Sequence, residues 1–213
     1  MSELLIWTIL LVPIGAFGLI ALIVRPFFNR YHRISGIVSV LAIAYSFILS
    51  ISLLQNMLVN STDIANLTGF TWLQIGSFEI KFGLLINELT SIMLVVVTGI
   101  SLLVQIYSIG YMSHDSGFSR YFSFISLFTA SMIGLVIASN IIQVYFFWEL
   151  VGLCSYLLIG FWHHKPEATA AAKKAFIVTR IGDFGFLIAI LYLFFQGVGL
   201  EISDINHWAS SEK

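Results

Sequence analysis

"VYFFWELVGLCSYLLIGFW", residues 144–162, is an apolar run long enough to cross a bilayer, yet it carries a single carboxylate, Glu149. About 20 helical residues span a hydrocarbon core of about 30 Å, because each residue rises about 1.5 Å. The run therefore reads as a transmembrane helix with an acid inside it. In a helix over residues 141–161, Glu149 stands about 12 Å and about 18 Å from the two ends. That is too deep for its side chain to reach water.

The rest of the chain has the same character. Of its 213 residues 59% are hydrophobic and 10% charged, against about 45–50% and about 25% in soluble domains. Six stretches are long and apolar enough to span a membrane: 4–24, 34–59, 84–109, 121–138, 141–161 and 170–195. The fold class expected is an all-α polytopic membrane protein with about six transmembrane helices. The first stretch has no basic residue before it and no small-x-small site after it, so it reads as a retained helix and not a cleaved signal. Only Ser139 and Asn140 separate the fourth and fifth stretches, which forces those helices into an antiparallel pair. "TDIANLTGFTWLQIGSFEIKFG", residues 62–83, is rich in Thr, Gly and alternating apolar residues and predicts a small extramembrane hairpin between helices two and three. The polar tail from residue 200 reads as the start of another loop, and Pro13 as a kink in helix one.

Basic residues orient the bundle. Arg25, Arg30 and Arg33 follow helix one, Arg120 lies between three and four, and Lys165, Lys173 and Lys174 lie between five and six. Lys81 and Lys213 fall on the other side. The positive-inside rule then puts the seven in the cytoplasm and both termini outside. The sequons at Asn60 and Asn66 would face outward, where we read them as chance matches.

Three ionisable side chains lie at hydrocarbon depth: Glu149, Arg180 and Asp183. Such residues cost several kcal/mol to insert (about 2.5–3.5 each on insertion scales), face a bundle interior and mark pathways. In "KKAFIVTRIGDFGF", residues 173–186, Arg180 and Asp183 are three apart and can pair on one helix. Lys173 lies two turns before Arg180, so the three form a polar line running in from the surface. Glu149 has no partner three or four residues away on its own helix. Tyr145, Glu149, Gly152 and Tyr156 follow helical spacing and predict a small, polar face toward neighbouring helices. A buried acid without a fixed cation binds or releases its proton according to where a mobile cation stands. Glu149 is accordingly a candidate proton-relay element. His163 and His164 read as a solvated interfacial pair, Asn87 and Glu88 as interfacial, and the many Phe and Trp residues as lipid-facing or interfacial.

Other chemistries find no support in the sequence. Lys and Arg total 10 against 11 Asp and Glu, which gives no argument for a nucleic-acid partner. The single cysteine, Cys154, supplies neither a disulfide nor a cluster of thiolates for iron–sulfur or zinc. No GxGxxG or Walker-type phosphate loop occurs.

The block 144–162 followed by "AAAKKAFIVTRIGDFGFL", residues 170–187, resembles the large antiporter-like subunit of proton-pumping NADH:quinone oxidoreductase, respiratory complex I, called subunit L or chain 5. "INELTSIMLVVVTGISLLVQIYSIGYMSHD" and "RYFSFISLFTASMIGLVIASNIIQVY" are similar to the amino-terminal portion of the same family. The resemblance implies a division into a transmembrane hairpin and outer loop (1–82), an amino-terminal region (83–138) and the start of the proton-translocating domain (139–213). It implies that Glu149 is the helix-five glutamate coupled to a lysine on a later, broken helix. It also implies that Arg180 and Asp183 belong to the adjoining polar network, to which the helical spacing adds Lys173. No redox centre is expected on this subunit: NADH, flavin, iron–sulfur clusters and quinone belong to other subunits, and the partners are other membrane subunits, including related antiporter-like ones. The implied setting is the cell inner membrane, or an organellar inner or thylakoid membrane. Family members have two inverted repeats, and this sequence stops after helix six, so the resemblance implies an amino-terminal fragment. A subunit of a multisubunit sodium/proton antiporter or membrane-bound hydrogenase, and a non-pumping scaffold, remain open beside it.

Overall fold

The computed structural model describes residues 3–27, 33–60, 67–75 and 78–211. It contains six helices long and apolar enough to cross a membrane: α1 (Glu3–Phe27), α2 (Arg33–Asn60), α3 (Glu88–Tyr111), α4 (Phe118–Val136), α5 (Ile141–Ile159) and α6 (Pro166–Phe195). Strands β1 (Leu67–Ile75) and β2 (Phe78–Leu84) pair antiparallel between α2 and α3, and a short helix α7 (Ile202–Ser211) follows α6. The chain is a polytopic helical membrane protein with a small hairpin. Arg30, Asn66 and Lys213 lie outside the described residues.

Local chemistry sets the boundaries. The third helix begins at Glu88, not at residue 84, because Asn87 caps it: its side chain accepts from the Thr90 N–H at 2.8 Å, and the Thr90 hydroxyl accepts from the Asn87 N–H at 2.8 Å. This is a capping box, and it assigns Asn87 a structural role in place of a merely interfacial one. The apolar residues before it, through Leu84, belong to β2. At the end of α6, Gly197 takes φ of 74°, its N–H bonds the Phe194 carbonyl and the Val198 N–H bonds that of Leu193. That pair of bonds is the Schellman arrangement, which needs the left-handed conformation glycine allows. The expected loop after residue 200 is corrected to α7, whose half-buried Ile202, Ile205 and Trp208 recur every three residues. In α1 the residues Ile20–Val24 form a π turn, with the Arg25 N–H reaching Ile20. Pro26 lacks the N–H that Leu22 would otherwise accept.

Helix α4 is the centre of the bundle and packs on α1, α2, α3 and α5, whereas α6 packs mainly on α5. Two apolar cores result. One joins Ile6, Ile9, Ile43, Leu94, Ile133 and Phe147 near the hairpin, and the other joins Ile20, Met112, Phe118, Phe122 and Phe161. Between Ile125 and Ile133 on α4, Ser126 and Thr129 meet a buried polar group: Ser39 contacts Ser126 at 2.6 Å and donates to Gln105 at 2.8 Å, and Gln105 reaches Thr129 at 3.4 Å. These bonds tie α2, α3 and α4 together where lipid tails offer no hydrophobic drive for association.

The two ends differ. The junction 137–140, between α4 and α5, is laced to both flanking segments: Leu85 N–H bonds Ile137, Ile141 N–H bonds Leu200, and Ile202 N–H bonds Ser139. Asn140 caps α5 by accepting from the Gln143 N–H, and its amide donates to the Lys81 carbonyl. Beside it Glu201 has its carboxyl raised by burial and by Asp204, with Lys81 opposing. At the opposite end of α5, Arg25, Asp115, Arg120, His163 and His164 line one cavity. Arg25 and Arg120 thus share an end, as the basic pattern requires.

Candidate functional site

Helices α5 and α6 run antiparallel, and their shared face carries the charged residues. Tyr145 packs on Phe186 with centroids 5.7 Å apart, and Tyr156 on Phe176 at 5.2 Å. Of the predicted stripe of Tyr145, Glu149, Gly152 and Tyr156, the two tyrosines thus pack on α6, and Gly152 lines a cavity with Thr179 and Asp183 of α6.

Between those aromatic contacts Arg180 meets both acids. Its Nη1 pairs with Glu149 Oε2, and lies 3.7 Å from Asp183 Oδ2. Its Nη2 donates to the Glu149 carbonyl oxygen at 3.3 Å, and the guanidinium lies 4.5 Å over the Phe176 ring. Asp183 is buried, 6% exposed, and accepts from the Trp148 indole N–H at 2.8 Å. One cation thus serves two carboxylates on facing helices, and the group carries one net negative charge when both acids are ionised.

This corrects the reading of Glu149 as an acid without a fixed cation. Its partner stands on the next helix, where spacing along one helix cannot reveal it. The local pair expected of Arg180 and Asp183 is present beside the pair across helices. Lys173 is not brought in: it is exposed on α6 and makes no ion pair among the described residues. Trp148 is the residue that sequence reasoning missed, because it was grouped with lipid-facing aromatics; its position beside Glu149 was the available signal. A cavity of about 840 Å³ opens next to Asp183, lined by Met132, Leu135, Trp148, Thr179 and Phe186. Among the described residues no group of three or more His, Cys, Asp or Glu is placed to hold a metal ion.

The arrangement can do one kind of chemistry. A guanidinium cannot lose its proton in a protein, so any proton exchanged within this group belongs to one of the two carboxylic acids.

The sequence matches two family models, one described as "NADH-Ubiquinone oxidoreductase (complex I), chain 5 N-terminus" over residues 72–122 and one as "NADH:quinone oxidoreductase/Mrp antiporter, TM" over residues 138–212. It is 44% identical over 211 residues to the chloroplastic NAD(P)H-quinone oxidoreductase subunit 5 of Hordeum vulgare and to that of Triticum aestivum, covering 95% of this chain and 28% of each relative. The chain thus spans less than a third of the length of these curated relatives. Among solved structures, a chain of the Mrp complex from Dietzia sp. superposes with TM-score 0.67 and 25% identity, over 89% of this chain and 20% of that one. A chain of the archaeal membrane-bound sulfane sulfur reductase superposes with TM-score 0.64 and 16% identity, over 91% and 37%, a likeness of fold alone.

Proposed function

The chain belongs to the antiporter-like chain-5 family of NADH:quinone oxidoreductase subunits, as its amino-terminal part, and from that premise we propose that the protein couples electron transfer from NADH to quinone, carried out on other subunits, to proton movement across a membrane. The observation that carries the reading is the sharing of Arg180 between Glu149 and Asp183 at the α5–α6 interface. When Arg180 leans on Glu149, that acid stays ionised. When Arg180 moves toward Asp183, Glu149 is left in low dielectric without a counter-charge and takes up a proton. The Trp148 N–H holds Asp183 where it can receive the cation. A displacement of a few ångströms converts a change elsewhere in a complex into a protonation change here.

In this reading the basic end faces the cytoplasm, or the matrix or stroma in an organelle, and the hairpin end faces the other compartment. NADH, flavin, iron–sulfur clusters and quinone would reside on partner subunits, and Lys173 would bias the field from the surface without joining the group.

The test is Glu149→Gln in the full-length protein. The expected outcome is an assembled complex that still transfers electrons while proton pumping through this subunit is lost. Normal pumping stoichiometry in that variant overturns the assignment, and failed assembly with normal pumping by the residue that assembles favours a scaffold.

The likeness to the Mrp complex favours one second reading, a cation/proton antiporter subunit without redox partners. Proton movement in proteoliposomes that follows a sodium gradient and ignores NADH would select it.

A further inference from the structure

The cavity at the basic end is a different site from the α5–α6 charges. It holds about 330 Å³ between the end of α1, the α3–α4 loop and the α5–α6 loop. Arg25 comes from the first, Asp115, Ser116, Gly117, Ser119 and Arg120 from the second and the start of α4, and His163 and His164 from the third. Four basic side chains from three segments thus converge on one hollow.

Its groups are unequally used. Asp115 is occupied: its Oδ1 accepts from the Gly117 N–H at 2.7 Å and its Oδ2 from the Trp162 indole at 2.9 Å. Arg120 is anchored by donating from Nη2 to the Phe161 carbonyl at 2.9 Å and by lying 4.6 Å over the Phe161 ring, and its Nη1 lies 3.5 Å from His163 Nδ1. Its Nε is buried and has no hydrogen-bond partner among the described residues. Against one carboxylate stand two guanidiniums and two imidazoles. The excess is one positive charge with both histidines neutral and three with both protonated.

Position selects the ligand. The hollow lies level with the ends of α1, α3, α5 and α6, where the hydrocarbon gives way to headgroups, and Trp162 with Lys165 4.8 Å over its ring marks that level. Arginines supply planar, multidentate donors that suit phosphate oxygens. We propose that this cavity is a binding site for the phosphodiester of an anionic phospholipid, seated by Arg25, Arg120, His163 and His164, and that the bound lipid braces the α3–α4 and α5–α6 loops against each other. The proposal does not rest on the pumping reading.

The experiment uses the full-length protein in phosphatidylcholine nanodiscs with and without phosphatidylglycerol, with retained lipid counted by native mass spectrometry. Wild type is expected to keep phosphatidylglycerol through the exchange. Arg25→Gln and Arg120→Gln should each lower retention about fivefold, the factor expected per basic group near an anionic surface. Should Arg120→Gln fail to fold, Arg25→Gln and the pair His163→Ala with His164→Ala carry the test. Equal retention by wild type and these variants overturns the proposal. So does equal thermal protection of the wild type by inorganic phosphate alone, which would make the hollow a free-anion site and not a lipid site.

Discussion

Trp148 and Asp115 show what single hydrogen-bonding side chains do at two sites of the bundle. The Trp148 indole donates to Asp183 from a position half exposed on the bundle surface. Trp148→Phe keeps the ring and deletes the donor, so we expect a loss of about 1.5–3 kcal/mol, the usual size for a hydrogen bond to an ionised group. Thermal unfolding in detergent measures it, and an unchanged midpoint would mean that Arg180 alone satisfies Asp183. Asp115 offers a test by pH. The Trp162 N–H, the Gly117 N–H and Arg120 hold its carboxyl below the ordinary value of 3.8, against a smaller opposing effect of burial. A carboxyl lowered in the folded state stabilises fully above its unfolded value near 3.9, and that stability disappears as the pH falls through the lower folded value. Asp115→Asn should therefore lower the midpoint at pH about 7 and lose that deficit in strong acid. A deficit of constant size across the range would assign the effect to packing. The charged group was legible in sequence because ions in hydrocarbon are rare: Glu149, Arg180 and Asp183 were each visible. The pairing of Arg180 with Asp183 was legible as well, but that of Arg180 with Glu149 was not, since spacing rules describe one helix and that contact crosses two.

Among the helix contacts, that of α4 with α5 leaves no room at Gly134. Gly134 faces the buried Phe147 ring so closely that a methyl group there would overlap it. Gly134→Ala should push the helices apart and cost about 1–3 kcal/mol, as overpacking does. Phe147→Leu in the same chain should recover part of the loss, giving a double-mutant cycle that does not add. Additive values would show that the two positions do not touch. The six spans were legible from length and apolarity, and the hairpin from its alternation. Two features were hidden for the same reason. The apolar run from β2 continues into α3 without a compositional break, so only the Asn87 cap reveals where the strand stops. In α7 the polar residues outnumber the apolar ones, although Ile202, Ile205 and Trp208 already carry a helical spacing.

For the molecule as a whole, the two ends of the bundle are built on different principles. One is stitched by main-chain hydrogen bonds through 137–140 to the hairpin and to the α6–α7 turn. The other is closed by side chains around a charged hollow. Asn140→Ala removes a helix cap, worth about 1 kcal/mol, together with the amide bond to Lys81. We expect faster hydrogen exchange in both residues 78–84 and residues 200–205 from this one change, and exchange confined to the start of α5 would show that the stitches are independent. The stitched end also acts as a fulcrum. Glu149 stands nine residues from Asn140 and Gly160 twenty, arms of about 13 Å and about 30 Å at helical rise. Any tilt of α5 about Asn140 that moves Glu149 by a given amount must swing the far tip a little more than twice as far, so the end held by side chains is where a small force gains the greatest leverage over the position of Glu149.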